Sequence, residues 1–360
     1  MEENCKLTAA QQAAIAFVRD YARQRKERAK ELIAEIIRMS NIGLAAYEDA
    51  VASIKNYARI GLHFHPDRLD PDHKCVAEAM LEQGVYKSQF ETLLSSGSVS
   101  AYPGGQRDLW EKGLFGGAYQ RPEVTNRERP KYGALQLMLH PDGPAPRFGS
   151  CYFLLAPRVS RRSTFTYMDS HQNPVEKGTY SELDDIMAAL LEEIFLRDSA
   201  LGQQRLYPPS FIEHLRYRLR EPIADPVHDT PARNLNHYIE AQVHGDIRLQ
   251  DDVEVLVADP SFRGTPMEET FKRLCAKYAI ELYWHRGFRL AVDQVPADFR
   301  GATMPSLAKR IAQEGYIDAR LIGEAAQALK QNPAQWSDRG TEAEVLQELK
   351  LLWHVLVRYG

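Results

Sequence analysis

Near residue 60 the apolar pattern of the chain changes its period, and that change constrains the fold more than any other feature. Before it, Thr8 stands as a helix N-cap. Ile15, Val18, Ala22, Leu32, Ile33, Ile36 and Ile37 then recur at helical spacing, predicting one long helix or a broken pair. A second helix is expected over 44–57. From about 61 to 262 short strands alternate with Gly/Pro-rich loops, with strands expected over 60–65, 132–139, 150–155, 163–167, 238–244 and 253–257. One helix, 181–195 with Ser181 as its cap, interrupts them. After Pro266 the pattern predicts a helix (267–277), a strand pair (280–284 with 288–292 around Arg286-Gly287) and helices near 307–312, 321–329 and 341–357. The reading is α+β, with a separate N-terminal helical lobe over 1–58, a core over 59–265 and C-terminal strand and helices over 266–360.

Composition excludes some partners. The chain has 360 residues, 44% apolar and 26% charged, and a net charge of only -4. Nothing in that balance recruits nucleic acid, and no apolar run approaches membrane-spanning length. Cys5, Cys75, Cys151 and Cys275 lie too far apart for a disulfide framework or a zinc site and read as reduced thiols of a cytosolic compartment. The polar start carries no secretory signal pattern. The basic stretch 23–30, interleaved with glutamate, reads as a solvated face or a partner surface.

Chemistry concentrates in a few segments. In Leu62-His63-Phe64-His65-Pro66-Asp67-Arg68, alternation puts His63 and His65 on one strand face, and Pro66 leaves Asp67 and Arg68 at the strand end. Arg68 there suits an anion clamp. A His-x-His pair with Asp67 is also a metal-ligand pattern, although a third convincing ligand is missing. Two Gly-rich stretches, 102–107 and 110–119, suit close approach to a ligand or a tight turn; neither is a Walker loop or a dinucleotide fingerprint. Ser163, Thr164 and Thr166 form a hydroxyl-bearing strand. In 238–245, Glu240, Gln242 and His244 alternate with apolar residues and share one strand face, as in a polar cleft wall or a half-exposed strand. The strand over 253–257 is expected beside it.

A strand ending in His or Arg, a helix finishing at Leu81-Glu82-Gln83-Gly84-Val85, a Ser/Thr strand and a glutamate strand together resemble the ADP-ribosyltransferase superfamily. Over roughly 55–265 the joint set of motifs is similar to CteC-type bacterial effectors, virulence toxins that ADP-ribosylate a threonine of host ubiquitin. Those motifs are His-Phe-His-Pro-Asp-Arg, Pro-Gly-Gly-x-Arg, Phe-Gly-Gly-Ala-Tyr, Arg-Pro-Lys-Tyr-Gly-Ala-Leu, Arg-Phe-Gly-Ser-Cys, Thr-Phe-Thr-x-x-Asp-Ser and Ile-Glu-Ala-Gln-Val-His-Gly. The resemblance implies a split-sheet core and NAD as substrate. Glu240 would be the catalytic carboxylate, and NAD contacts would come from His63, His65, Arg68, Arg129, Tyr132, Ser163, Thr164, Thr166, Gln242 and His244. The clamp is Arg68 or Arg129. The acceptor implied is ubiquitin, reached from the bacterial cytoplasm by a specialised secretion route into host cytosol. Glu240 leads a Glu-x-Gln pair, where many transferases end a pair on the catalytic Glu, which leaves the role of Gln242 open. The rivals are a metal-dependent hydrolase using His63, His65 and Asp67, and a non-catalytic nucleotide-binding module.

Overall fold

The computed structural model describes residues 6–70, 73–93, 101–223 and 231–360. Its centre is a mixed eight-stranded sheet built from β1 (Arg59–Phe64), β2 (Lys131–Gln136), β3 (Cys151–Leu155), β4 (Ser163–Tyr167), β5 (Lys177–Thr179), β6 (Ile239–Val243), β7 (Val253–Ala258) and β8 (Glu281–Trp284). The order across the sheet is β8-β7-β3-β1-β2-β6-β4-β5. All neighbours are antiparallel except β7 and β8. The mixed α/β class is therefore as expected, but two pairings are not. β7 does not flank the glutamate strand; it pairs with β3 and β8. The segment after Ile280 does not form a hairpin with the one after Gly287. A helix, Pro266–Tyr278, bridges β7 to β8 as a parallel crossover, and Arg289–Ala291 pairs with Tyr316–Asp318.

The expected N-terminal lobe is not separate. Helix α1 (Ala9–Met39) starts on a reciprocal cap between Thr8 and Gln11, and runs unbroken. Its second half, with helix α2 (Leu44–Tyr57), buries Ile33, Ile36, Tyr47 and Ile54 in the same core as Leu62, Phe153 and Ile239 of the sheet. The basic stretch is only partly solvated. Arg23 and Lys26 pair with Glu182, and Arg25 with Asp185, at the acidic entrance of helix α3 (Asp184–Arg197). Ser181 does not cap that helix, which begins three residues later.

Packing also moves the C-terminal boundary. Phe271, Leu274 and Ile280 belong to the main core, whereas Phe288, Leu307, Ile322, Leu349 and Trp353 form a second core of their own. The C-terminal unit thus begins near Phe288 and contains helices α4 (Met304–Ile311), α5 (Ala319–Gln331) and α6 (Glu342–Tyr359). Its bonds to the main body include two sets beside the cleft. Gln327 donates to the Asp67 carbonyl at 2.6 Å and Lys330 to that of Asp70 at 2.9 Å, while Trp353 Nε1 donates to the Pro146 carbonyl at 3.0 Å.

One irregularity matters for function. β1 pairs with β2 only through Arg59, Ile60 and Gly61, opposite Gln136, Leu135 and Ala134; from Leu62 onward β1 pairs only with β3. Beyond Ala134 the other strand instead continues against β6. The sheet forks there, between His63 and Phe64 on one branch and Lys131 and Tyr132 on the other. Gly133 sits at the crotch, where an added Cβ would stand 2.7 Å from the Gly61 carbonyl oxygen and 2.7 Å from Leu62. Gly133→Ala should therefore cost about 1 to 3 kcal/mol through overpacking, measured by urea denaturation. Gly113→Ala, on a helix face with nothing within 4 Å of the added carbon, should be neutral or stabilising by up to about 1 kcal/mol.

Candidate active site

The fork opens into a cleft with two chambers. The larger, about 290 Å³, is lined by His63, His65, Arg68, Lys87, Lys131 and Met80 among others. The smaller, about 210 Å³, is lined by Arg107, Trp110, Arg147, Asp169, His171, Glu240 and Lys350. His63, Tyr86, Gln89, Tyr132 and Phe148 belong to both walls, so the chambers adjoin. Arg68 stands at one end and Glu240 at the other.

Strand register builds the Glu240 end. Ala134 and Thr166 lie opposite Glu240, and Tyr132 and Thr164 lie opposite Gln242. Because strand side chains alternate, Glu240, Gln242 and His244 share a face with Thr164 and Thr166 while Ile239, Ala241 and Val243 enter the core. That face is a buried hydrogen-bond line. Tyr119 OH donates to His244 Nδ1, which makes Nε2 the protonated nitrogen, 3.1 Å from Thr164 Oγ1. Thr164 donates to Gln242 Oε1 at 2.8 Å, and Gln242 Nε2 donates to Glu240 Oε1 at 2.9 Å and to Thr166 Oγ1 at 3.2 Å. Each donor points toward the carboxylate, and burial keeps His244 neutral with its pKa lowered to about 3. Gln242 thus holds Glu240; it does not face the ligand. Thr164, Thr166, Gln242 and His244 line neither chamber and lie beneath Glu240, while Ser163, opposite Val243, is on the other face of the sheet and donates to the Val159 carbonyl at 2.9 Å; none of these expected NAD contacts lines the cleft.

Glu240 is 5% exposed, and burial, reinforced by the nearby Asp169 charge, raises its pKa to about 7. Asp169 goes the other way. Its burial is outweighed by hydrogen bonds from His171 (2.8 Å) and Tyr238 (2.8 Å), which hold it below the usual carboxylate range. Two carboxyls in one chamber are driven apart in acidity, the arrangement that assigns one as an anion and leaves the other able to exchange a proton near neutrality.

The two arginines weighed as clamps differ sharply. Arg129 is buried and committed inward, to Asp108 at 2.6 Å and Glu111 at 2.8 Å, over the Phe90 ring, and it lines neither chamber. Arg68 lines the larger chamber and forms no ion pair among the described residues. His63 spends both ring nitrogens: Nε2 accepts from the Ala145 amide at 3.2 Å, so Nδ1 donates to the Gly149 carbonyl at 3.0 Å. Asp67 is buried against Gly323, where an added Cβ would fall 1.6 Å from Oδ2. His63 thus has no ring nitrogen to spare, Asp67 lines neither chamber, and no group of three metal-ligating side chains occurs among the described residues.

Arg107, Trp110, Arg147, Asp169, His171 and Lys350 were missed as site residues. For Arg107, Trp110 and Glu111 a signal existed. Their i, i+3, i+4 spacing follows the Pro-Gly-Gly turn and puts all three on one face of the helix Gln106–Leu114. That face stacks the Arg107 guanidinium over Trp110 and Tyr132 at 4.7 and 4.8 Å.

Residues 59–359 match a family described as a protein of unknown function (DUF3626). The chain belongs to that family. The matched region begins at β1 and takes in the forked sheet, the cleft and the C-terminal unit; α1 and α2 precede it. No curated protein matches the chain.

Because the Glu240 charge is unfavourable in the folded protein, its contribution to stability is lost as pH rises from its unfolded pKa near 4.5 through about 7. Glu240→Gln carries no such charge. Its stability relative to wild type should rise by about 2 kcal/mol between pH 5 and pH 8, read from paired denaturation curves. A pH-independent difference would mean that Glu240 ionises freely.

Proposed function

We propose that this protein is an NAD-dependent mono-ADP-ribosyltransferase that modifies a hydroxyl side chain of a protein acceptor. The observation that carries the reading is the pair of adjoining chambers, one lined by Arg68, an arginine without an ion pair among the described residues, and the other by a buried carboxyl, Glu240, at a fork between two adjacent strands. The forked sheet also suits the split core that the resemblance to ADP-ribosyltransferases implies. Ubiquitin as acceptor, and a threonine as its modified residue, come from the resemblance to CteC-type effectors, as does delivery into a host cell.

In this reading NAD lies along the cleft, its nicotinamide ribose beside Glu240 and its diphosphate between that ribose and Arg68, with Trp110, Tyr132 and Phe148 offering ring faces. The bond between the ribose anomeric carbon and the nicotinamide nitrogen breaks, and its electrons leave with nicotinamide. The ribose becomes oxocarbenium-like, and ionised Glu240, held by Gln242, stabilises that charge where it matters most, in the transition state. The acceptor hydroxyl adds to the anomeric carbon and loses its proton to a carboxylate. No metal enters the chemistry, so transfer should survive chelator.

Glu240→Gln should keep NAD binding yet lower transfer by about two to four orders of magnitude in a labelled-NAD assay. Wild-type kcat/KM should rise with pH through about 7 as Glu240 ionises, and Asp169→Asn, which removes the charge opposing that ionisation, should shift the rise to lower pH. Unchanged transfer in Glu240→Gln would refute the assignment. Arg68→Ala should weaken NAD binding by about 1.5 to 3 kcal/mol in calorimetry, whereas Arg129→Ala should be read first as a loss of stability, since it strands Asp108 and Glu111.

A further inference from the structure

The C-terminal helix α6 brings an ammonium into the Glu240 chamber. Lys350 lines that chamber with Arg147, and one turn further along the same helix face lies His354, 3% exposed with neither ring nitrogen hydrogen-bonded. Trp353, between them, fixes the helix against the Arg147 loop through the Pro146 and Arg147 carbonyls at 3.0 and 3.2 Å, and its ring meets His65 edge-on at 5.0 Å. Arg300 lines neither chamber, but its charge acts on this group; its Nε and that of Arg147 are buried without a hydrogen-bond partner. These cations crowd one another. Burial, then Arg147, Arg300 and Arg68, lowers Lys350 to about 8, and burial with Arg300, Arg147 and Lys350 lowers His354 to about 3.

Little on the protein compensates them. Arg147 donates to Asn236 at 3.1 Å and lies 3.7 Å from Asp169, but Lys350 and Arg300 form no ion pair among the described residues. Folding has gathered like charges beside a cleft, where mutual repulsion is unfavourable until an anion is bound.

We propose that Lys350 and Arg147 form a phosphate subsite completed by the C-terminal helix, which receives a diphosphate group entering the cleft. Naming the diphosphate as part of a dinucleotide rests on the transferase reading; the subsite itself does not. It makes the C-terminal unit part of the binding site.

Inorganic pyrophosphate and ADP-ribose, titrated calorimetrically into the full chain, test this. Wild type should bind both, and ADP-ribose more tightly. Lys350→Met and Arg147→Met keep the apolar stem of each side chain and should each weaken both ligands by about tenfold or more. Pyrophosphate should raise the melting temperature of wild type but not of Lys350→Met, a readout that a merely structural lysine would not move. Wild-type affinity for pyrophosphate in both variants, or no binding by wild type, overturns the subsite. Pyrophosphate binding without transfer from NAD would sink the transferase reading and leave the subsite standing; transfer with an unchanged NAD KM in both variants would do the reverse.

Discussion

The divergence of β1 and β2 after three residue pairs is the constraint on which the site depends. Two adjacent strands of a sheet normally satisfy each other's backbone along their length. Here the pairing stops at Gly61 and Ala134, and each strand turns to a different neighbour, β1 to β3 and β2 to β6. The His63 ring ties the loop at 145–149 to the opened branch, accepting from the Ala145 amide and donating to the Gly149 carbonyl. A histidine at this position is thus structural, and the cleft runs past it.

Below the cleft the same sheet carries polar residues at a depth where each must find a partner. The line from Tyr119 through His244, Thr164 and Gln242 to Glu240 meets that demand by running every donor in one direction. A carboxyl at its end is held in place by the Gln242 amide, and burial keeps its ionisation poised near neutrality. Asp169, three residues beyond Thr166, is instead stabilised as an anion by His171 and Tyr238. The contrast arises from environment alone, since the two groups are chemically alike.

The C-terminal unit has its own core yet touches the main body where it matters. Helix α5 holds the turn that follows β1, through Gln327 and Lys330, and α6 holds the loop carrying Arg147 through Trp353. Both rims of the cleft are therefore set by residues more than two hundred positions away in sequence. Lys350 reaches the chamber by the same docking, and the positive charge of the site is shared between the two units.

Local periodicity determined much of this protein. The long first helix with its Thr8 cap, the alternation that puts Glu240, Gln242 and His244 on one face, and the αL glycine Gly84 ending the helix after β1 are all properties of a few neighbouring residues. Arg68 at a strand end was legible for the same reason. Pairing was not. Which strand lies beside Glu240, and whether 281–284 folds back on 289–291 or crosses to β7, depends on contacts between distant segments that no local pattern encodes. Arg129 and Arg68 look alike in sequence. Only tertiary packing gives Arg129 two carboxylates and leaves Arg68 facing the cleft. Lys350 is one more lysine on an amphipathic helix until docking of that helix buries it among arginines, because side-chain identity is local while burial and charge neighbourhood belong to the folded chain.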